Sequence, residues 1–139
     1  MRSVFPSRFL KRALGADALV SGAVALLQLL AAGALAEQLA LPRALLLGTG
    51  VFLLGYVALL VMLARAQRVP AALILLVVAG NVLWALGALG LLLGDSLTTN
   101  IWGEAWLLLH VAAVLVFAAL EWAGLRASPM SGSAQAARA

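Results

Sequence analysis

PAALILLVVAGNVLWALGALGLLLG, residues 70–94, decides the fold. It contains no charged side chain and a single carboxamide, Asn81, near its middle. A helix needs about 20 apolar residues to cross a hydrocarbon core about 30 Å thick, so this stretch is long enough to span a membrane. Pro70 suits the first turn of such a helix, where its missing N–H would have no partner.

Working outward, three comparable apolar runs flank it, which places four spans at about 17–38, 44–64, 70–94 and 104–125. The chain of 139 residues is 65% hydrophobic and 10% charged. Soluble domains carry about 25% charged residues, so water cannot be the solvent for most of this surface. Backbone groups in lipid must satisfy one another, which leaves helices or closed barrels. The runs are too long and too continuous for the alternating strands of about 10 residues that a barrel needs. The fold class is therefore all-α: an integral-membrane, antiparallel four-helix transmembrane bundle. A basic start before an apolar run also resembles a signal peptide, and Ala34-Leu35-Ala36 has a small-x-small cleavage pattern. The run 13–36 exceeds the 7–15 residues or so of a signal core, however, and is read as a retained span.

The positive charge, nine Lys/Arg against five Asp/Glu, would suggest nucleic acid in a soluble chain. Here the bases sit at span ends, where they meet anionic headgroups. No nucleic-acid partner is expected; the lipid bilayer is. Eight of the nine bases lie on one side of the spans, and Arg43 alone lies on the other. The positive-inside rule then places both termini in the cytoplasm. Trp102 and Trp106 fall at the outer interface and Trp122 at the inner one. Residues 1–12 read as a basic cytoplasmic flank in which Ser7 could cap a short interfacial helix, 13–125 as the transmembrane domain, and 126–139 as a disordered cytoplasmic tail.

Glycines recur every seven residues: Gly15 and Gly22, Gly48 and Gly55, then Gly80, Gly87 and Gly94. Seven residues is about two helical turns, so each set occupies one face and predicts close helix packing. A weak parallel repeat pairs Val20–Val24 with Val78–Val82, and Glu37-Gln-Leu with Asp95-Ser-Leu.

Chemistry, if any, belongs to the intramembrane polar residues: Asp17, Ser21, Gln28, Tyr56, Asn81, His110 and Glu121. On a helical wheel Asp17, Ser21 and Gln28 share one face of span 1, and His110, Phe117 and Glu121 share one arc of span 4. The plainer reading is interhelical hydrogen bonding, at about 0.6 kcal/mol per contact. The sharper one is a polar seam that binds a small ligand or passes a proton. Asp17 also suits a helix N-terminus, with Arg12 and Arg126 as counter-charges to Asp17 and Glu121. One histidine and no cysteine leave no compact metal site and no disulfide, and no cofactor is expected. No known catalytic motif is present, so the chain is not read as an enzyme.

Asp17 with Ser21-Gly22, Gly50–Tyr56 (GVFLLGY), Asn81-Val-Leu-Trp84 and Leu97–Gly103 (LTTNIWG) together resemble a diffuse group of small four-span bacterial membrane proteins without an established activity. The resemblance covers about residues 14–123. It implies a multi-pass protein of the bacterial inner (plasma) membrane and supplies no catalytic residue. The leading expectation is a protein acting by helix association, as a complex subunit or small homo-oligomer. The alternative is a small transporter or channel-like protein with an interior polar seam.

Overall fold

The structure, a computed structural model, describes residues 3–94 and 97–130. Asp95 and most of the expected disordered tail lie outside the described residues. The rest is all-α apart from two dipeptide strands. In chain order the elements are β1 (Ser3–Val4), α1 (Arg8–Leu30), α2 (Ala32–Leu39), α3 (Arg43–Arg65), β2 (Val69–Pro70), α4 (Ala71–Leu93) and α5 (Ile101–Arg126). Four of the helices, α1, α3, α4 and α5, are long and apolar enough to cross a membrane.

Two boundaries differ from those read in the sequence. Ser7 does cap a helix, accepting from Leu10 N–H at 3.1 Å, but that helix is the long α1 rather than a short interfacial one. Asp17 consequently sits well inside α1 and cannot interact with its N-terminus. The first span is also divided: Ala31 (φ −119°, ψ 22°) turns the axis between α1 and α2. The Ala31 N–H still reaches Leu27 O and the Leu35 N–H reaches Ala31 O, so the backbone ladder bends without being lost. Ala40, at φ 50°, ends α2 in the left-handed conformation usually given to glycine.

Helix α1 packs along α3, α4 packs along α5, and α1 also lies against α5. The backbones of α3 and α4 stay further apart, and side chains bridge them. Leu60 and Leu63 meet Ile74 and Val77 in one apolar core, and Phe52 stacks on Trp84 with ring centroids 5.3 Å apart. Each long helix contributes a stripe at helical spacing; in α4 it runs Ile74, Val77, Asn81, Ala85, Ala88. The opposite faces are apolar too, as lipid contact requires.

The end of the molecule that carries the first and last described residues, Ser3 and Met130, is closed. β1 pairs antiparallel with β2, Val4 bridges to Met130, and Phe5 N–H donates to Pro129 O. Ser128 Oγ accepts from Ser7 N–H at 3.0 Å and donates to Gly124 O at 2.8 Å. Beneath this cap lies a core that includes Leu10, Leu14, Leu60, Leu63, Val69, Ile74 and Val77. At the other end, Thr99 Oγ1 donates to Leu39 O and Asn100 Nδ2 to Gln38 O, tying the start of α5 to the end of α2.

The glycine rows do not provide the close packing their spacing suggests. A Cβ added at Gly15, Gly48, Gly55, Gly80 or Gly87 would meet nothing, and one at Gly22 would make ordinary contact with Val57. Close approach occurs instead at Gly124, where a Cβ would stand 2.9 Å from Leu10 Cα, at Gly50 against Leu29, and at Gly103 against Thr99 and the Leu39 carbonyl.

Candidate functional site

Just inward of the closed end, all four long helices contribute a polar side chain to one cluster. Asp17 from α1 and Glu121 from α5, separated by 104 positions, are both completely shielded from solvent. Asn81 from α4 lies between them. Its Nδ2 donates to Asp17 Oδ2 at 3.3 Å and to Glu121 Oε2 at 3.1 Å, which uses both amide hydrogens. Tyr56 from α3 donates its hydroxyl to Asp17 Oδ2 at 2.8 Å. Ser21, one turn on from Asp17, donates to Asp17 Oδ1 at 2.7 Å.

The two acids differ in their surroundings. Asp17 accepts three hydrogen bonds, from Ser21, Tyr56 and Asn81. Glu121 accepts one and lies within hydrogen-bonding reach of the Asp17 carboxyl, while no donor reaches its buried Oε1. Neither acid is joined to Arg12, Arg126 or any other base among the described residues, so the expected counter-charges are not engaged. A buried acidic pair without a cation is costly in a low-dielectric interior. Asn81 offsets part of that cost by donating to both acids.

Toward the far end, the cluster forms the floor of a cavity of about 240 Å³. The wall is mostly apolar: Ser21, Tyr56, Asn81 and His110 are its polar side chains, while Phe52, Trp84, Trp106 and Phe117 supply aromatic rings. Phe52 is 59% exposed, so the cavity reaches the lipid-facing surface beside the α3–α4 gap. A second cavity of about 340 Å³ lies beyond it, lined by Gln28 and Thr49 among others. The two share Trp84, Trp106 and His110 in their walls. The bare glycine positions fall here: Gly80 borders the first cavity and Gly87 the second, so the row on α4 leaves room instead of filling it.

His110 stands at the partition. Its Nδ1 is 2.8 Å from Trp106 O, and its ring lies against the Trp106 indole at 4.7 Å. A carbonyl oxygen can only accept, so Nδ1 carries the hydrogen; in the neutral ring Nε2 is then a bare acceptor, and it is buried without a partner.

Of the seven residues singled out in the sequence, Asp17, Ser21, Tyr56, Asn81 and Glu121 form one bonded group. Gln28 belongs to the second cavity, where its Oε1 lies 3.1 Å from Thr49 Oγ1, a hydroxyl that also bonds Leu45 O at 2.8 Å, and His110 lies between. Asn81 does not pair with Gln28, despite their similar expected depth. Thr49, Trp84 and Trp106 were not recognised as part of the site. Thr49 precedes Tyr56 by seven residues and Trp84 follows Asn81 by three, spacings that place each on the same helix face as a recognised polar residue. Trp106, expected at the outer interface, turns inward to the cavities. No group of three or more metal-ligating side chains occurs among the described residues. Comparison with protein-family models, curated proteins and solved structures finds no match to this chain.

Proposed function

We propose that this chain is a small membrane transporter: an antiparallel four-helix bundle, termini in the cytoplasm of a bacterial inner membrane, that loads a small solute into its interior cavity. One observation carries the reading. Two fully buried acids from opposite ends of the chain meet, without a counter-cation among the described residues, one hydrogen bond behind the floor of a cavity that reaches the lipid-facing surface. A bundle needing only structural glue has no use for such a pair, because amide and hydroxyl contacts join helices without burying charge. Transport is favoured over catalysis because the walls are mostly aromatic and aliphatic.

The test is uptake into proteoliposomes for a panel containing an organic cation, an organic anion and a neutral solute of similar size. Uptake of at least one probe above protein-free vesicles is expected. Folded, correctly inserted protein that moves none of them would overturn the reading.

Association with a second copy or another membrane protein is a second reading. It is supported by the open face at Gly48 and Gly55, which no helix of this chain covers. Native mass spectrometry from mildly solubilised membranes tests it: a retained dimer or partner chain supports it, and a lone monomer removes it.

A further inference from the structure

We propose that the solute is a small organic ammonium ion, a protonated amine carrying N–H donors on a compact apolar body. The inference rests on the transporter reading and adds the ligand's chemical class, which the hydrogen-bond polarity of the cavity supplies.

The polar side chains of the wall have their hydrogens already committed. Ser21 and Tyr56 give theirs to Asp17, and Asn81 gives one to each acid. His110 directs its Nδ1 hydrogen to Trp106 O. What these four groups retain is acceptor capacity: the hydroxyl lone pairs, the Asn81 carbonyl and, buried just behind the wall, the bare Nε2 of His110. The only side-chain donors left in the wall are the indole N–H groups of Trp84 and Trp106. A ligand rich in acceptors, such as a carboxylate or phosphate, would face lone pairs with the acids behind them. A ligand rich in N–H donors satisfies them.

Two further features select positive charge. Tyr56, Trp84, Trp106 and Phe117 surround the space with aromatic rings, whose faces attract cations. One hydrogen bond behind the floor sit Asp17 and Glu121, with no base bonded to either among the described residues. A volume of about 240 Å³ lies below the 300 Å³ or so at which drug-sized pockets begin, which limits the body to a small one.

The experiment is binding to protein in nanodiscs, read by tryptophan fluorescence against empty nanodiscs. Four probes of one shape are used: benzylammonium, trimethylbenzylammonium, benzyl alcohol and benzoate. Benzylammonium is expected to bind tightest, trimethylbenzylammonium more weakly because it has no N–H, and benzoate not at all. Glu121→Gln, which removes an acid behind the floor, and His110→Phe, which removes an acceptor, are each expected to weaken benzylammonium by about tenfold and benzyl alcohol, which carries no charge, by less. His110→Phe removes an acceptor outside the acidic cluster, so a folding failure of the cluster variant leaves the test intact. Benzoate or benzyl alcohol binding as well as benzylammonium, or no binding of any probe, would overturn the assignment. Uptake of benzoate without benzylammonium binding would overturn the ligand class and leave transport standing. Benzylammonium binding without uptake of any probe would do the reverse.

Discussion

Asn81 shows what a single residue contributes in lipid. As the one polar side chain of α4, it could have been ordinary interhelical glue, and it is interhelical. It differs from glue in what it joins, for its two hydrogens bridge two acids on two other helices. Asn81→Leu removes both donors and leaves the acids facing each other, so folded yield and thermal midpoint should fall, by about 2–3 kcal/mol for the unmet buried groups. Tyr56→Phe leaves Asp17 with two donors in place of three and should cost about 1 kcal/mol in the same thermal assay. The polar candidates were legible in the sequence because a polar atom in an apolar span is conspicuous. Their pairing was not. Asp17 and Glu121 lie 104 positions apart, and nothing local to either indicates which helix it will face.

Among the elements, the four long apolar helices followed from the runs of apolar residues, but the separate α2 and the helix neighbours did not. In a soluble protein an amphipathic stripe marks the buried face; here both faces are apolar, and polar residues are the only local marks of the inside. The glycine rows misled for a related reason. Spacing places residues on one face without saying whether that face meets a helix, a cavity or lipid. Gly124→Ala should destabilise by about 1–3 kcal/mol, because the new Cβ meets the Leu10 backbone at 2.9 Å. Gly55→Ala, where nothing lies within reach, should be neutral or slightly stabilising. Thermal unfolding in one detergent compares the two directly. The bend between α1 and α2 had no sequence signal, since Ala31 is neither proline nor glycine. Ala40, in contrast, is held at φ 50°, and Ala40→Gly should raise stability by about 0.5–1 kcal/mol in that assay.

For the whole molecule, topology and the interior site form a single claim. The closed end holds the capping strands and an apolar core; inward of it come the acids, the aromatic cavity, the His110 partition and the second cavity. The absence of cysteine makes orientation directly measurable. Cysteine placed at Gln67, in the exposed connection before β2, should react with an impermeant maleimide from the cytoplasmic side alone. Cysteine at Ile101, which is 71% exposed at the opposite end, should react from the other side alone. The same side for both would overturn the four-span arrangement.

The central claim is that the Asp17–Glu121 pair is retained for function at some expense to stability, as active sites often are. Glu121→Gln tests it most directly, because the amide oxygen can still accept from Asn81 while one acid is removed. Thermal midpoint and proteoliposome uptake are measured on the same preparation. The expected result is an unchanged or raised midpoint with uptake lost. A lowered midpoint with uptake falling only in proportion to folded protein would make the pair structural and contradict the claim.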